Sequence, residues 1–368
     1  MKELDFLNKR LVERREKGNL RTLPPVRDLI DFVSNDYLGL ARSEELRESI
    51  QQKAASIKPL NGGTGSRLLS GNNELFEALE KRLSKLFNSE SALLFNSGYH
   101  ANQALVSSVA GKGDTIIYDQ LSHVCLKEGA WLSKAQTVAF RHNDLEDLRM
   151  KLQQSEGRKF VVTESIFSMD GDEAPLKEII ALCNEFDALL IIDEAHSTGC
   201  YGKEGSGISV QFSDEDCILA RVYTFGKAMG VHGACIAGSQ SLIDYLINFG
   251  HAFIYTTSLP PHSVISIQES FNYLKDHIAL QDRLNDRIYF FRQAYDDALS
   301  TTAIQPVIVG SNEQARKLSS VLQTNGFDVR PILSPTVQKG KERLRISLHV
   351  HNSKEEIASL VNLLKSLL

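Results

Sequence analysis

Leu189-Leu190-Ile191-Ile192-Asp193-Glu194-Ala195-His196 is the stretch on which the reading of this chain turns. Four aliphatic residues in succession, with no polar alternation, are the pattern of a strand buried on both faces, as in a parallel sheet. The strand ends on a carboxylate, and His196 follows three residues later. A buried carboxylate is costly unless a cation meets it. A protonated pyridine nitrogen is one such cation, and the pairing keeps that ring electron-withdrawing. Taken alone, a strand-end Asp that caps a helix is the more ordinary reading.

Working outward, short apolar runs recur at 92–95, 115–118, 160–163 and 218–223, with helix-like stretches between most of them. One such stretch, 72–88, carries Leu75, Leu79, Leu83, Leu86 and Phe87 on a single face. The alternation predicts βαβ units around a mainly parallel sheet covered by helices, whose sites lie at the carboxyl ends of its strands. Leu4, Leu7 and Leu11 recur at helical spacing within 1–21, and Pro24-Pro25 ends that pattern. After Pro260-Pro261 the pattern changes to a long helical region (262–300), a strand (304–309), a helix (313–325), a strand and a last helix. Ser353 and Glu356 form a capping box for that helix, with Ile357, Leu360, Val361 and Leu364 as its buried stripe. This reads as a smaller α+β domain from about residue 265.

Composition narrows the class. The chain has 368 residues, 42% of them hydrophobic, and a formal net charge of −5. Its pI is near 6.1 and its mean hydropathy −0.19. These values describe a globular chain large enough for two domains and exclude a general nucleic-acid binder, which needs a basic surface. No apolar run approaches the ~18 residues of a membrane span. The first 21 residues are charged throughout and lack the apolar core of a signal peptide. Cys125, Cys183, Cys200, Cys217 and Cys235 form no CxxC pair, so reduced thiols in a cytoplasmic protein are expected. His349 and His351 lack Cys or carboxylate neighbours in sequence and read as alternating strand side chains, not as metal ligands.

Three other stretches place polar groups just after an apolar run. In Phe95-Asn96-Ser97-Gly98-Tyr99-His100-Ala101-Asn102, a Ser-Gly turn opens a helix, where free N–H groups and the helix dipole suit a phosphate. Val222-Tyr223-Thr224-Phe225-Gly226-Lys227-Ala228-Met229-Gly230 places Lys227 among small and apolar residues, where desolvation lowers an amine's pKa and aids imine formation. Thr224 offers a hydroxyl to the same phosphate. Thr163-Glu164-Ser165-Ile166-Phe167-Ser168-Met169-Asp170-Gly171-Asp172 reads only as a loop. Singly, each has a bland explanation. Their order, with Asp193 and then Lys227, is what a pyridoxal 5'-phosphate (PLP) site in a parallel sheet requires. Asn61-Gly62-Gly63-Thr64-Gly65-Ser66 lacks the GK[ST] ending of a P-loop and reads as a close-approach loop.

At these residues the chain resembles the α-oxoamine synthases, a family of fold-type I PLP-dependent transferases. The matching stretches are Ser34-Asn35-Asp36-Tyr37-Leu38-Gly39-Leu40, Leu121-Ser122-His123, Phe167-Ser168-Met169-Asp170-Gly171-Asp172, Asp193-Glu194-Ala195-His196-Ser197-Thr198-Gly199, Thr224-Phe225-Gly226-Lys227 and Tyr255-Thr256-Thr257-Ser258-Leu259-Pro260-Pro261. The resemblance implies Lys227 as the Schiff-base lysine, Asp193 as the pyridinium partner and His196 at the phenolic oxygen. It implies His123 stacked on the ring, with Gly98, Tyr99, Ser168 and Thr224 beside the cofactor. Thr257 would reach the phosphate from the other subunit, which implies a homodimer. Arg21, His123 and Thr336 would contact substrate.

The activity implied is decarboxylating condensation of a small amino acid with an acyl thioester on CoA or a carrier protein. L-alanine with a pimeloyl thioester is the expected pair. Glycine with acetyl-CoA, serine with palmitoyl-CoA and the 5-aminolevulinate reaction are the alternatives. Lys227, freed from the cofactor, would remove the α-proton. A non-catalytic partner subunit would lack that lysine, whereas Lys227, Asp193 and His196 are all present. The expected domains are 1–40, an N-terminal helix and lid; 41–264, a large cofactor-binding α/β domain; and 265–368, a small α+β domain. One departure stands out: Leu333 occupies the place of a common family Arg that holds the amino-acid carboxylate. Arg343 and Arg345 remain as substitutes.

Overall fold

The aliphatic runs fold as parallel strands because neither of their faces meets water. The computed structural model describes residues 5–57 and 61–368. Its strands in chain order are β1 (Ile30–Asp31), β2 (Ser91–Phe95), β3 (Thr115–Asp119), β4 (Gln136–Phe140), β5 (Lys159–Glu164), β6 (Ala188–Asp193), β7 (Ile218–Thr224), β8 (Ala234–Gly238), β9 (Ile304–Ile308), β10 (Phe327–Asp328), β11 (Arg330–Ile332) and β12 (Arg343–Ser347).

By internal contacts the chain divides into two units. The larger comprises 36–168 and 172–282. It is built on a seven-stranded sheet of order β2-β8-β7-β6-β5-β3-β4. The pairs among β3, β4, β5, β6 and β7 are parallel, and β8 runs antiparallel to both β7 and β2. Successive residues serve opposite faces. Ile116, Phe160, Val162 and Ile191 join one apolar cluster, with the helices Gly98–Val109 and Val124–Leu132 over it. Ile117, Val161, Leu190 and Ile192 join a second cluster, under the helices Leu145–Gln154 and Leu176–Glu185. The sheet is α/β and covered on both faces, as the aliphatic runs predict.

Two strands of this sheet were not legible. β4 has the partly exposed pattern of an edge strand, and β8, Ala-Cys-Ile-Ala-Gly, is too small in its side chains to stand out. The predicted helix over 72–88 is Glu74–Leu86, capped by Asn73, with Phe76, Leu79 and Leu83 buried.

The smaller unit comprises residues up to 35, 169–171 and 283–368. Antiparallel β11, β12 and β9 form one sheet, and β1 pairs in parallel with β10. That pairing groups the N-terminal segment with the C-terminal residues, so it is not the separate 1–40 domain expected. The second boundary also moves, from 264/265 to 282/283. Pro261 is the first residue of the helix Pro261–Asp276, where its missing N–H costs nothing, so the Pro pair marks a helix start within the large unit. The predicted 262–300 helix is two, Pro261–Asp276 and Ala279–Ala294. At the N-terminus the helix is Asp5–Glu16 with Leu7 and Leu11 exposed; residues 1–4, and Leu4 with them, lie outside the described residues.

The last helix, Lys354–Leu367, has both capping-box bonds: Glu356 N donates to Ser353 Oγ at 3.1 Å, and Ser353 N donates to Glu356 Oε2 at 2.8 Å. Ile357, Leu360, Val361 and Leu364 are all buried. Ser353→Ala is expected to cost about 1 kcal/mol, read as a lower urea midpoint at unchanged slope.

Candidate active site

Because β8 is antiparallel to both of its neighbours, β2 runs in the same direction as β7. The carboxyl ends of β2, β3, β5, β6 and β7 therefore share one edge. That edge carries Ser97-Gly98, the segment leading to His123, Glu164 to Ser168, Asp193 to His196, and Thr224 to Lys227.

Asp193 is 4% exposed. Its Oδ1 accepts the N–H of Ala195 at 2.8 Å, and its Oδ2 accepts Asn102 Nδ2 at 2.6 Å. Both donors are neutral, so they aim the carboxylate without cancelling its charge. Asn102 was not singled out from sequence. It lies one helical turn beyond Gly98, and this spacing, on the face that looks at the sheet, was the available signal. Its Oδ1 is buried and finds no hydrogen-bond partner among the described residues.

Glu164 pairs in register with Asp193, so both side chains leave the same face of the sheet. Burial, reinforced by the charge of Asp193, pushes Glu164 up to about 8. Its Oε1 accepts the backbone N–H of His123 at 2.5 Å. His123 caps the helix Val124–Leu132, with its own Nδ1 accepting Cys125 N at 3.3 Å and lying 2.9 Å from Cys125 Sγ. Burial pushes that thiol up to about 12, which keeps it a neutral S–H. Burial also lowers the pKa of His123, the charge of Asp193 opposes this, and Lys227 and Lys127 add to the lowering. Both the lowering and the N–H of Cys125 at Nδ1 favour the neutral imidazole with its proton on Nε2.

Lys227 sits in a turn closed by Gly230 N donating to Lys227 O at 2.8 Å. It is partly buried, and its charge acts on His123, Glu164 and Cys125, which places it in the same cluster. A Cβ at Gly98 would run into Thr224 Oγ1, so the glycine lets that hydroxyl lie against the start of the helix Gly98–Val109. Tyr99 is largely exposed, its hydroxyl bonded to Glu128. His196, 6% exposed, meets Tyr37 Oη at 2.8 Å through Nδ1. Ser168 is partly buried in the loop after β5.

Thr257 is exposed, and its carbonyl accepts Asn96 Nδ2 at 2.8 Å. The Gly-rich loop is a close-approach loop: a Cβ at Gly63 would overlap the backbone of Ser258, and Ser258 N donates to Gly65 O at 3.0 Å.

In the smaller unit, Arg21 Nη2 donates to Thr336 Oγ1 at 3.3 Å, which brings the two substrate candidates together. Arg343 is ion-paired with Asp170. Arg345 donates to Ser347 Oγ at 2.9 Å and Asn35 Oδ1 at 3.0 Å. His349 and His351 follow β12 in a turn, not in a strand, with rings stacked at 4.6 Å. Asp31 lies beside them, but its oxygens accept Val33 N, Ser34 N and Ser34 Oγ. His349 is bonded through Nε2 to Ser34 O and through Nδ1 to Asn352 Oδ1.

Sequence reasoning also missed a clamp that ties two site segments together. His142 Nδ1 faces Asp119 Oδ1 at 3.0 Å, and its Nε2 faces Asp172 Oδ2 at 2.6 Å. Asp119 also accepts Leu121 N at 2.7 Å, two residues before His123. Asp172 O accepts Phe167 N at 3.0 Å, beside Ser168. Burial alone would lower the pKa of His142; the hydrogen bonds and charges of the two carboxylates outweigh it and raise the value to about 10.

A model of the family aminotransferase class I and II matches residues 27–364. The 8-amino-7-oxononanoate synthase of Marinobacter nauticus is 37% identical over 345 residues, covering 92% of this chain and 87% of its own. Among solved structures, a serine palmitoyltransferase from S. paucimobilis with bound PLP matches with a TM-score of 0.88 at 26% identity, over 99% of this chain and 96% of that one. An 8-amino-7-oxononanoate synthase from Francisella tularensis matches with a TM-score of 0.78 at 28% identity, over 92% of this chain and 97% of that one.

The clamp makes a prediction. A histidine whose folded pKa lies above its unfolded value contributes fully below about 6.5 and loses that contribution as pH rises through about 10. His142→Gln is expected to destabilise the protein by about 3 kcal/mol at pH 7, because two carboxylates lose their shared cation. The gap from wild type in urea titrations should narrow toward pH 10; a gap independent of pH would refute a charged His142.

Proposed function

The chain belongs to the aminotransferase class I and II family, in its α-oxoamine synthase branch, and from that premise we propose that it uses PLP to condense L-alanine with a pimeloyl thioester. The products are 8-amino-7-oxononanoate, carbon dioxide and the free thiol, a step of biotin biosynthesis. The observation that carries the reading is Asp193: buried, held by two neutral donors, and within the electrostatic reach of Lys227 through their shared neighbours.

The residues present fit PLP. Asp193 offers a fixed negative charge to a protonated ring nitrogen, the first turn of the helix at Gly98 leaves N–H groups for a phosphate, and Thr224 adds a hydroxyl beside them. When bound, PLP supplies an electron sink for the negative charge that develops at the amino-acid Cα. Lys227 anchors the cofactor and, released from it, moves the α-proton. His123, neutral and rigidly capped, packs on the ring face. His196 donates to the phenolic oxygen, and Gly98, Tyr99 and Ser168 line the cofactor. Thr257 reaches the phosphate of a second copy, which makes the working form a homodimer. Arg21, His123 and Thr336 contact substrate. Arg343, paired with Asp170, and Arg345, bonded to Ser347 and Asn35, remain the two substitutes for the arginine that Leu333 replaces. We place the enzyme in the cytoplasm, in keeping with five free, buried thiols. Among the described residues no helix is long and apolar enough to cross a membrane.

The likeness to serine palmitoyltransferase supports a second reading, in which serine and a longer acyl chain are the substrates; glycine with acetyl-CoA is a third. One measurement tests the cofactor and a second separates the substrates. The purified protein should absorb in the visible region, and Lys227→Ala should abolish that band and lower kcat by about 10³-fold or more. Turnover assays of alanine, glycine and serine against acetyl-, palmitoyl- and pimeloyl-thioesters should give the highest kcat/KM for alanine with pimeloyl. A preference for serine with palmitoyl-CoA would install the second reading.

A further inference from the structure

Tyr37 is 1% exposed, and its hydroxyl lies 2.8 Å from Nδ1 of His196. The rings are tilted by 50° with centroids 6.1 Å apart, so the contact is made by the polar atoms and not by stacking. The segment bearing Tyr37 is tied at several points. Gly39 turns the chain at φ 69°, with its N–H donating to Asp36 O at 2.9 Å. Asp36 in turn accepts Ala41 N at 3.0 Å and Arg42 Nε at 3.2 Å. Gly230, in the turn that follows Lys227, lies so close to Ala41 that a Cβ there would overlap the Ala41 N–H. The backbone that follows Tyr37 is thereby seated against the lysine turn, and Asp36 ties the backbone before it to the same segment.

We infer that Tyr37 is a positioning residue that fixes the tautomer and orientation of His196. A neutral phenol always has a proton to donate, whereas a neutral imidazole carries one on a single nitrogen, and we assign the 2.8 Å contact with the O–H donating and Nδ1 accepting. A neutral His196 then carries its proton on Nε2 and presents a donor there. The inference rests on the PLP reading for its consequence: the Nε2–H faces the phenolic oxygen and favours its ionised form. The opposite tautomer would offer a lone pair to an oxygen that also carries lone pairs. The design is that of an outer partner that orients a ligating histidine, where removal of the partner typically lowers activity 10- to 100-fold. It also explains why tyrosine stands here: phenylalanine would fill the same buried volume but leave Nδ1 without its donor.

Full-length protein with ¹⁵N-labelled histidine, free of cofactor, tests the first half. In the wild type, His196 Nδ1 should resonate as an unprotonated nitrogen and Nε2 as a protonated one. In Tyr37→Phe, both shifts should move toward a mixture of tautomers. A protonated Nδ1 in the wild type overturns the inference, and that measurement needs no variant to fold. PLP-loaded protein tests the second half. The pH at which the visible band changes form should move by roughly one unit in Tyr37→Phe, the scale of one lost hydrogen bond. The same variant should lower kcat about 10-fold or more with KM little changed. A band and pH profile identical to wild type would overturn the positioning role. The cofactor reading fails by a different result, namely wild-type protein that takes up no PLP and shows no visible band.

Discussion

The large unit is organised around one costly placement, a carboxylate buried at the end of a strand that is buried on both faces. Asp193 can sit there because the backbone of Ala195 and the amide of Asn102 satisfy its oxygens, and they leave its charge for a cation. The strand order puts its neighbours within reach. β5 brings Glu164 alongside in register, β3 leads to His123, and β7 leads to Lys227. A parallel sheet concentrates chemistry at one edge because every strand ends there, so one buried charge can be read by groups distant in sequence.

The next residue shows the same physics on the opposite face. Glu194 is fully buried among Ser165 Oγ at 2.8 Å, Ile208 N at 3.2 Å, Ser209 N at 2.5 Å and the hydroxyl of Ser197. Burial raises its pKa, and the hydroxyls and backbone donors oppose that rise. Two consecutive carboxylates thus point through opposite faces. Asp193 looks toward the cluster with Lys227, and Glu194 pins residues 208 and 209 beneath the sheet. This back-to-back arrangement holds the segment with His196 from below while Tyr37 holds it from the side.

Much of this was legible because it is local. The aliphatic runs, the Ser353–Glu356 box and the stripe of the last helix are patterns of neighbouring residues, and each folds as its pattern dictates. What was not legible is either weakly patterned or non-local. β4 and β8 carry too little apolar bulk to register as strands. Asn102 is one polar residue in a helix until β6 places Asp193 beneath it. His142 gains its meaning from carboxylates 23 and 30 residues away, which no spacing rule joins. The boundary at 264/265 was drawn at a proline pair, a local signal, whereas pairing of β1 with β10 is set by partners some 300 residues apart, as with Ile30 and Phe327.

The protonation states of the cluster also have an order that follows from geometry. Two carboxyls leave adjacent strands on one face, and placing both charges there is unfavourable. Burial and the proximity of Asp193 make Glu164 the one that keeps its proton, up to about pH 8. A carboxyl held above its ordinary value costs stability as pH rises past about 4.5, and the cost is fully developed above about 8. A cation brought to Asp193 changes that balance. It offsets the charge that keeps Glu164 protonated, so Glu164 becomes more acidic when the cation arrives. The hydrogen bond from His123 N to Glu164 strengthens when that acceptor ionises, so the charge balance between Glu164 and Asp193 bears on how firmly the backbone of His123 is held.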